Sequence, residues 1–333
     1  MTQAKVTFWA EKPAEEYFVV KQKKGSEAIS PINALHDHLS NAIYQLFGVC
    51  TPDFYIGNYN KKLSLISNIM RGYQDLVEWL KGGEAAIEEI NKCQKVDDCV
   101  TAYIKAENGL SVIDKESLLA AAIVLEDTDV LGAGLRNIGL IKFFGKHKIV
   151  KIDPSSTVFD TTKENIETAL KEFESNLSLS DPLIYKPFSF NRVYNNPKSV
   201  LGNLHFSEFF HDINKGKLVK ELTKFANLDE KSIRNLVLRD EYFDLLSVDK
   251  KDPYLEQITY ILLRKKDILR KVLNCPEITF TPPAPPQVFI KDLELGEPIE
   301  QIKHGASMPL KVKGTKSPSY LEESKSQETL YTT

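Results

Sequence analysis

The chain has 333 residues, enough to bury a full core with room for two lobes and a tail. Hydrophobic residues make up 42% and charged residues 27%, and the net charge of −3 gives no general case for nucleic acid as a partner. No apolar run nears the roughly 20 residues needed for a transmembrane segment, MTQAKVTFWAEK lacks a signal peptide's layout, and the four cysteines form no CxxC pair, so reduced thiols in a cytoplasmic setting are expected, with a Cys93–Cys99 bridge the rival.

Residues 5–9 and 17–21 are β-rich runs on either side of Pro13 and predict a hairpin. Ile32, Leu35, Leu39, Ala42, Ile43 and Leu46 fall at helical spacing, and the helix should stop at Gly48. Strand-like runs follow at 53–57 and 63–67, with Asn58-Tyr59-Asn60 as the turn. Residues 1–70 therefore read β-β-α-β-β.

From Gly72 the pattern is helical, at 73–80, 85–93, 97–106 and 117–125, broken by Gly82-Gly83 and Asn108-Gly109. A second β pair is predicted at 139–144 and 148–152 around a Gly145-Lys146 turn. Helices resume at 163–177, 206–225, 229–235 and 252–273. Beyond Cys275 the chain is first Pro-rich, then polar, so 276–333 is expected to be a flexible tail. No internal repeat is visible.

Phosphoryl transfer from ATP needs a lysine on the phosphates, acidic and amide oxygens for Mg²⁺, and a carboxylate near the acceptor hydroxyl. The chain offers these in order. Lys21 ends a strand, Asp127, Asp129 and Asn137 occupy the loop after the LLAAAIVL helix, and Asp153 follows IVKI. This order resembles the kinase-like superfamily that includes the phosphatidylinositol kinases and the HipA-type protein kinases. It is most similar to kinase-like effectors of bacterial type IV secretion systems, in which such a helix runs into an Asp-x-Asp loop, an Asn-x-Gly and an IVKID strand. YQLFGVCTP (44–52) resembles that family's helix exit, and LISNIMRGYQDL (65–76) its interlobe hinge.

The resemblance implies an α+β, two-lobed protein/lipid kinase-like fold, with a small β-rich N-lobe (1–70) and a larger helical C-lobe (71–275). It implies that Lys21 holds the nucleotide phosphates, paired with Asp37, where the family has a glutamate; Glu27 is the rival partner. Ser67, Asn68 and Ile69 would lie against the adenine. Asp129 would orient or deprotonate the acceptor, with Asp127 a second candidate, and Asn137 and Asp153 would ligate Mg²⁺ or Mn²⁺. The sequence departs from the family in two further ways. Asp129 and Asn137 are eight positions apart, a longer loop than usual, which Gly132 and Gly134 allow to bulge; and the turn at 11–14 has no glycine to cradle phosphates.

The function implied is ATP/Mg²⁺-dependent phosphotransfer to a protein or phosphoinositide hydroxyl. The alternatives are a catalytically degenerate kinase-like interaction module and a kinase-fold AMP transferase. Residues 322–328 resemble the acidic translocation signal of type IV effectors, which places the protein either in the cytoplasm or secreted into a host cell. Other features read as structural. His36 and His38 are two apart on a helix and face different ways; His205 and His211 are poorly spaced for chelation; Phe206, Phe209 and Phe210 belong to the core. Arg264-Lys265-Lys266 with Arg270-Lys271 reads as a solvated helix face, with an acidic lipid headgroup or phosphate site the rival.

Overall fold

Two four-stranded sheets and a set of helices around one long buried core make an α+β fold. The computed structural model describes residues 9–11, 17–21, 28–68, 70, 72–92, 96–107, 109–127, 129–132, 135–154, 159, 163–177, 209–210, 212–238 and 245–275. Expectations for Glu27, Ile69, Cys93, His205, Phe206, His211 and 276–333, and for the side chain of Cys99, lie outside the described residues.

The first part follows the order β1 (Trp9–Glu11), β2 (Tyr17–Lys21), α1 (Pro31–Leu46), β3 (Phe54–Tyr59) and β4 (Lys62–Asn68). These strands form an antiparallel sheet in the order β1-β2-β4-β3. Helix α1 starts cleanly because the Ser30 side chain accepts a hydrogen bond from the Asn33 amide and Pro31 needs no intrahelical donor. Its apolar stripe, Ile32, Leu35, Leu39 and Ile43, is buried. The β3–β4 turn falls at Asn60-Lys61, later than the expected 58–60. Both residues have positive φ and Tyr59 pairs with Lys62, the two-residue turn whose twist suits an antiparallel hairpin.

The second sheet is built from β5 (Gln74–Asp75), β6 (Val112–Ile113), β7 (Ile138–Phe143) and β8 (Lys146–Lys151), in the order β5-β7-β8-β6. Residues 73–80, expected to be wholly helical, give β5 first and then the short α2 (Leu76–Trp79), because Gln74 and Asp75 pair with Leu140 and Gly139. The β7–β8 turn is Phe144-Gly145 rather than Gly145-Lys146, since Phe143 pairs with Lys146. Between the strands run α3 (Glu84–Lys92), α4 (Val96–Glu107) and α5 (Lys115–Leu125). Every residue of α5 from Leu118 to Leu125 is buried, as a helix apolar on all sides must be.

Four helices follow among the described residues: α6 (Lys163–Asn176), α7 (Lys215–Ala226), α8 (Glu230–Leu238) and α9 (Val248–Val272). Of the helix expected over 206–225, α7 supplies the part from Lys215, where Asn214 caps it by accepting from the Lys217 amide, and the described Phe209 is also helical. Phe209 and Phe210 are core, as expected. The basic run on α9 is a solvated face only in part. Lys265 is fully buried, donating to the Val124 carbonyl at 2.7 Å and pairing with Glu126 at 2.7 Å, and Lys266 is only 4% exposed. Arg264 is partly exposed and Lys271 exposed, so only part of the run is closed into the core. His36 is buried beside the rings of Phe159 and Tyr254. Among the described residues no helix is long and apolar enough to cross a membrane.

Candidate active site

Strand β2 ends with Lys21, and its antiparallel pairing with β4 sets Lys21 opposite Leu65. The lysine side chain reaches α1, where it donates to Asp37 Oδ2 at 2.6 Å, and also meets Asp153 Oδ1 at 3.1 Å. The three side chains are 18%, 17% and 16% exposed. Burial by itself would lower the Lys21 ammonium's value, but Asp37 and then Asp153 overrule it and hold the group well above its ordinary range. One cation thus ties the first sheet, α1 and the end of β8 together. Asp153 adopts a left-handed φ of +72° just past β8, and β8 is braced from the other side where the Lys151 amide donates to the Cys50 carbonyl at 2.9 Å.

The loop after α5 gives its two aspartates different surroundings. Asp127 is fully buried. Its Oδ2 accepts from the Tyr44 hydroxyl at 2.6 Å and lies 3.5 Å from Lys151 Nζ, while its Oδ1 accepts from the Asp129 amide at 3.0 Å. Burial, and next the Asp127 charge, raise the Tyr44 hydroxyl far above its ordinary range. Lys151 also donates to the Val130 carbonyl at 3.0 Å. Asp127 therefore shapes the loop from inside it.

Asp129 is exposed. The Asn137 side-chain amide donates to the Asp129 carbonyl at 2.8 Å and to its carboxylate at 3.1 Å. Desolvation raises the Asp129 carboxyl; Lys151 and Asn137 draw it down, while Asp127 and Asp153 push it up, and the net shift is upward. The eight-residue interval between Asp129 and Asn137 closes because Gly132 turns the chain at φ +71°, where a Cβ would lie 2.5 Å from Asn137 Cγ. The Asn137 amide then donates to the Leu131 carbonyl, and the Asn137 carbonyl accepts from the Ile152 amide at 3.0 Å, so the backbones bearing Asn137 and Asp153 adjoin. Gly134 lies outside the described residues.

Ser67 and Asn68 close β4, opposite Val19 and Phe18. Ser67 is buried, and the Asn68 side chain donates to the Tyr55 hydroxyl at 3.3 Å. The structure thus brings Lys21, Asp37 and Asp153 into one cluster and Asp129 and Asn137 into another beside it. Ser67 and Asn68 stand on the strand adjacent to Lys21, and Asp127 lies buried behind Asp129, joined to it through the Asp129 amide. Sequence reasoning passed over Tyr44 and Lys151. A lysine between Val150 and Ile152 on a strand whose apolar residues are buried was the one available signal for the second.

Magnesium takes hard oxygen ligands and needs only one or two from the protein. Asn137 and Asp153 supply such donors on adjoining backbone, which fits that demand. Among the described residues no three His, Cys, Asp or Glu side chains gather as a metal-binding group.

No protein-family model matches the chain, and no curated protein matches it. Among solved structures it is similar to the crystal structure of a Helicobacter pylori proinflammatory kinase, CtkA, at 15% identity, over 84% of this chain and 94% of that one, with a TM-score of 0.45. It is also similar to HipA in a Shewanella oneidensis toxin–antitoxin complex with HipB and operator DNA, at 11% identity, over 84% of this chain and 68% of that one, with a TM-score of 0.39.

Proposed function

We propose that the chain is an ATP-dependent phosphotransferase of the kinase-like kind, using Mg²⁺ or Mn²⁺ and acting on a protein or phosphoinositide hydroxyl. The observation that carries this reading is the Lys21–Asp37–Asp153 cluster set beside the Asp129–Asn137 pair. A lysine held charged by two carboxylates is suited to phosphate oxygens, because the incoming anion can take over the place of Asp153 while Asp37 keeps the ammonium in position. Asp129, exposed and raised above the ordinary carboxylate range, is suited to accept the acceptor's proton, and Asn137 fixes its orientation. Asn137 and Asp153 would hold the metal, which when bound neutralises charge on the phosphates. Ser67, Asn68 and Ile69 would edge the base. In this reading the β-rich lobe ends near residue 70 and the helical lobe near residue 275, and the 322–328 segment supports delivery into a host cell.

The test is transfer from γ-labelled ATP by the purified chain. Asp153→Ala should abolish it, and undiminished transfer would overturn the assignment. Label on the acceptor from α- rather than γ-labelled ATP would mark an AMP transferase. The glycine-free turn at 11–14 favours a second reading, a non-catalytic module of the same fold. That reading expects no ATP-induced rise in melting temperature with either metal.

A further inference from the structure

The β7–β8 hairpin ends in a feature that neither its fold nor the site requires. Phe144 is 92% exposed and Phe143 45% exposed, their rings set edge to face with centroids 4.7 Å apart. Phe144 takes a left-handed φ of +44° in the turn, a position that asparagine or glycine fills at lower cost than an aromatic residue. Between Leu140 and Lys148 the chain carries three lysines and one histidine and no carboxylate. The period of two places these cations on both faces of the hairpin. Lys148 Nζ lies 5.7 Å from the Phe143 ring on one face, and on the other Lys142 Nζ lies 5.6 Å from the Trp79 ring, beside His147. Lys146, across from Phe143, is exposed at the apex itself. Among the described residues the carboxylate that meets this group is Asp114, 3.7 Å from Lys148.

We infer that this apex docks on an anionic lipid surface. Two aromatic rings at the end of a hairpin are far too small for a stable protein interface, which needs about 800 Å² from each partner. They do suit shallow insertion at the level of lipid headgroups, where aromatic rings partition and lysine stems extend to reach the phosphates. Each lysine at such a surface strengthens binding by about fivefold, and the effect fades with salt. Asn137 and Asp153 stand at the opposite end of the same hairpin, about 20 Å or more from the apex at some 3.4 Å per residue. Docking would leave the candidate site clear of the bilayer, and the inference stands whether or not the chain transfers phosphate.

The test is co-sedimentation of the full chain with vesicles of phosphatidylcholine alone and of phosphatidylcholine mixed with phosphatidylserine. Binding is expected to the mixed vesicles only and should weaken as salt rises. Phe144→Ser should weaken it at least about tenfold, and Lys142→Glu with Lys146→Glu by more than that, each with an unchanged melting temperature. No binding to the mixed vesicles, or binding that both variants retain in full, would overturn the inference. So would self-association without vesicles that Phe144→Ser abolishes, since it would assign the apex to a protein contact.

Discussion

Lys21 holds two carboxylates with one ammonium, and the consequence for stability follows from the sign of its shift. A lysine raised in the folded state contributes its full stabilisation below the unfolded value and loses it only as pH rises through the folded value. Its unfolded value is 10.5, and the folded value lies above that. Lys21→Met should therefore cost about 1–3 kcal/mol, less than a fully buried pair because water reaches all three groups. That cost should stay constant from neutral pH to about pH 10 in denaturant titrations; a difference that shrinks within this range would contradict the ion cluster. The two loop aspartates should separate just as clearly. Asp127→Ala leaves Lys151 and Tyr44 facing an emptied buried position and should cost about 3–5 kcal/mol in thermal or chemical denaturation. Asp129→Asn should leave the melting temperature nearly unchanged while removing phosphotransfer. The sequence displayed Lys21, Asp37, Asp129, Asn137 and Asp153 in a telling order. Only the resemblance ranked Asp127 below Asp129, because the groups that bury Asp127 come from Tyr44 and Lys151, both distant in the chain.

Among the elements, those with a long apolar run were legible and those made only by pairing were not. Helix α5 and the β7–β8 hairpin fall close to where their apolar runs and the turn glycine set them. Strands β5 and β6 have two residues each and exist only because β7 and β8 supply partners, one antiparallel and the other parallel. The contact that seats β5 is equally hidden in sequence. A Cβ at Gly139 would lie 2.2 Å from the Tyr73 ring and 2.4 Å from the Gln74 carbonyl oxygen. Gly139→Ala must therefore push β5 and the Tyr73 ring away from β7, at a cost of about 1–3 kcal/mol. A lowered urea midpoint with an unchanged m-value would be the expected result, and no change in midpoint would mean that β5 is not held against β7 as described.

At the scale of the whole molecule, the change from a β-β-α-β-β opening to helices was readable, whereas the burial of Lys265 and Lys266 within the basic run on α9 was not. A run of Arg and Lys reads as solvated until a carboxylate and a carbonyl from another element are seen to enclose part of it. One buried cluster runs from α1 through α5 to α7 and α9 and takes in residues of both sheets, while a second, built on Val20 and Ile66, is small. Because the core is shared, calorimetry should show a single cooperative transition for the described body of the chain; two separated transitions would show that the sheets and the helices unfold independently. The buried pair between Lys265 and Glu126 also bears on when the protein matures. Glu126 is the residue before Asp127, and it is held by a side chain that the ribosome adds among the last of the described residues. A nascent chain that already contains every residue of the candidate site still lacks this clamp, so the loop after α5 should gain it only once synthesis has passed α9.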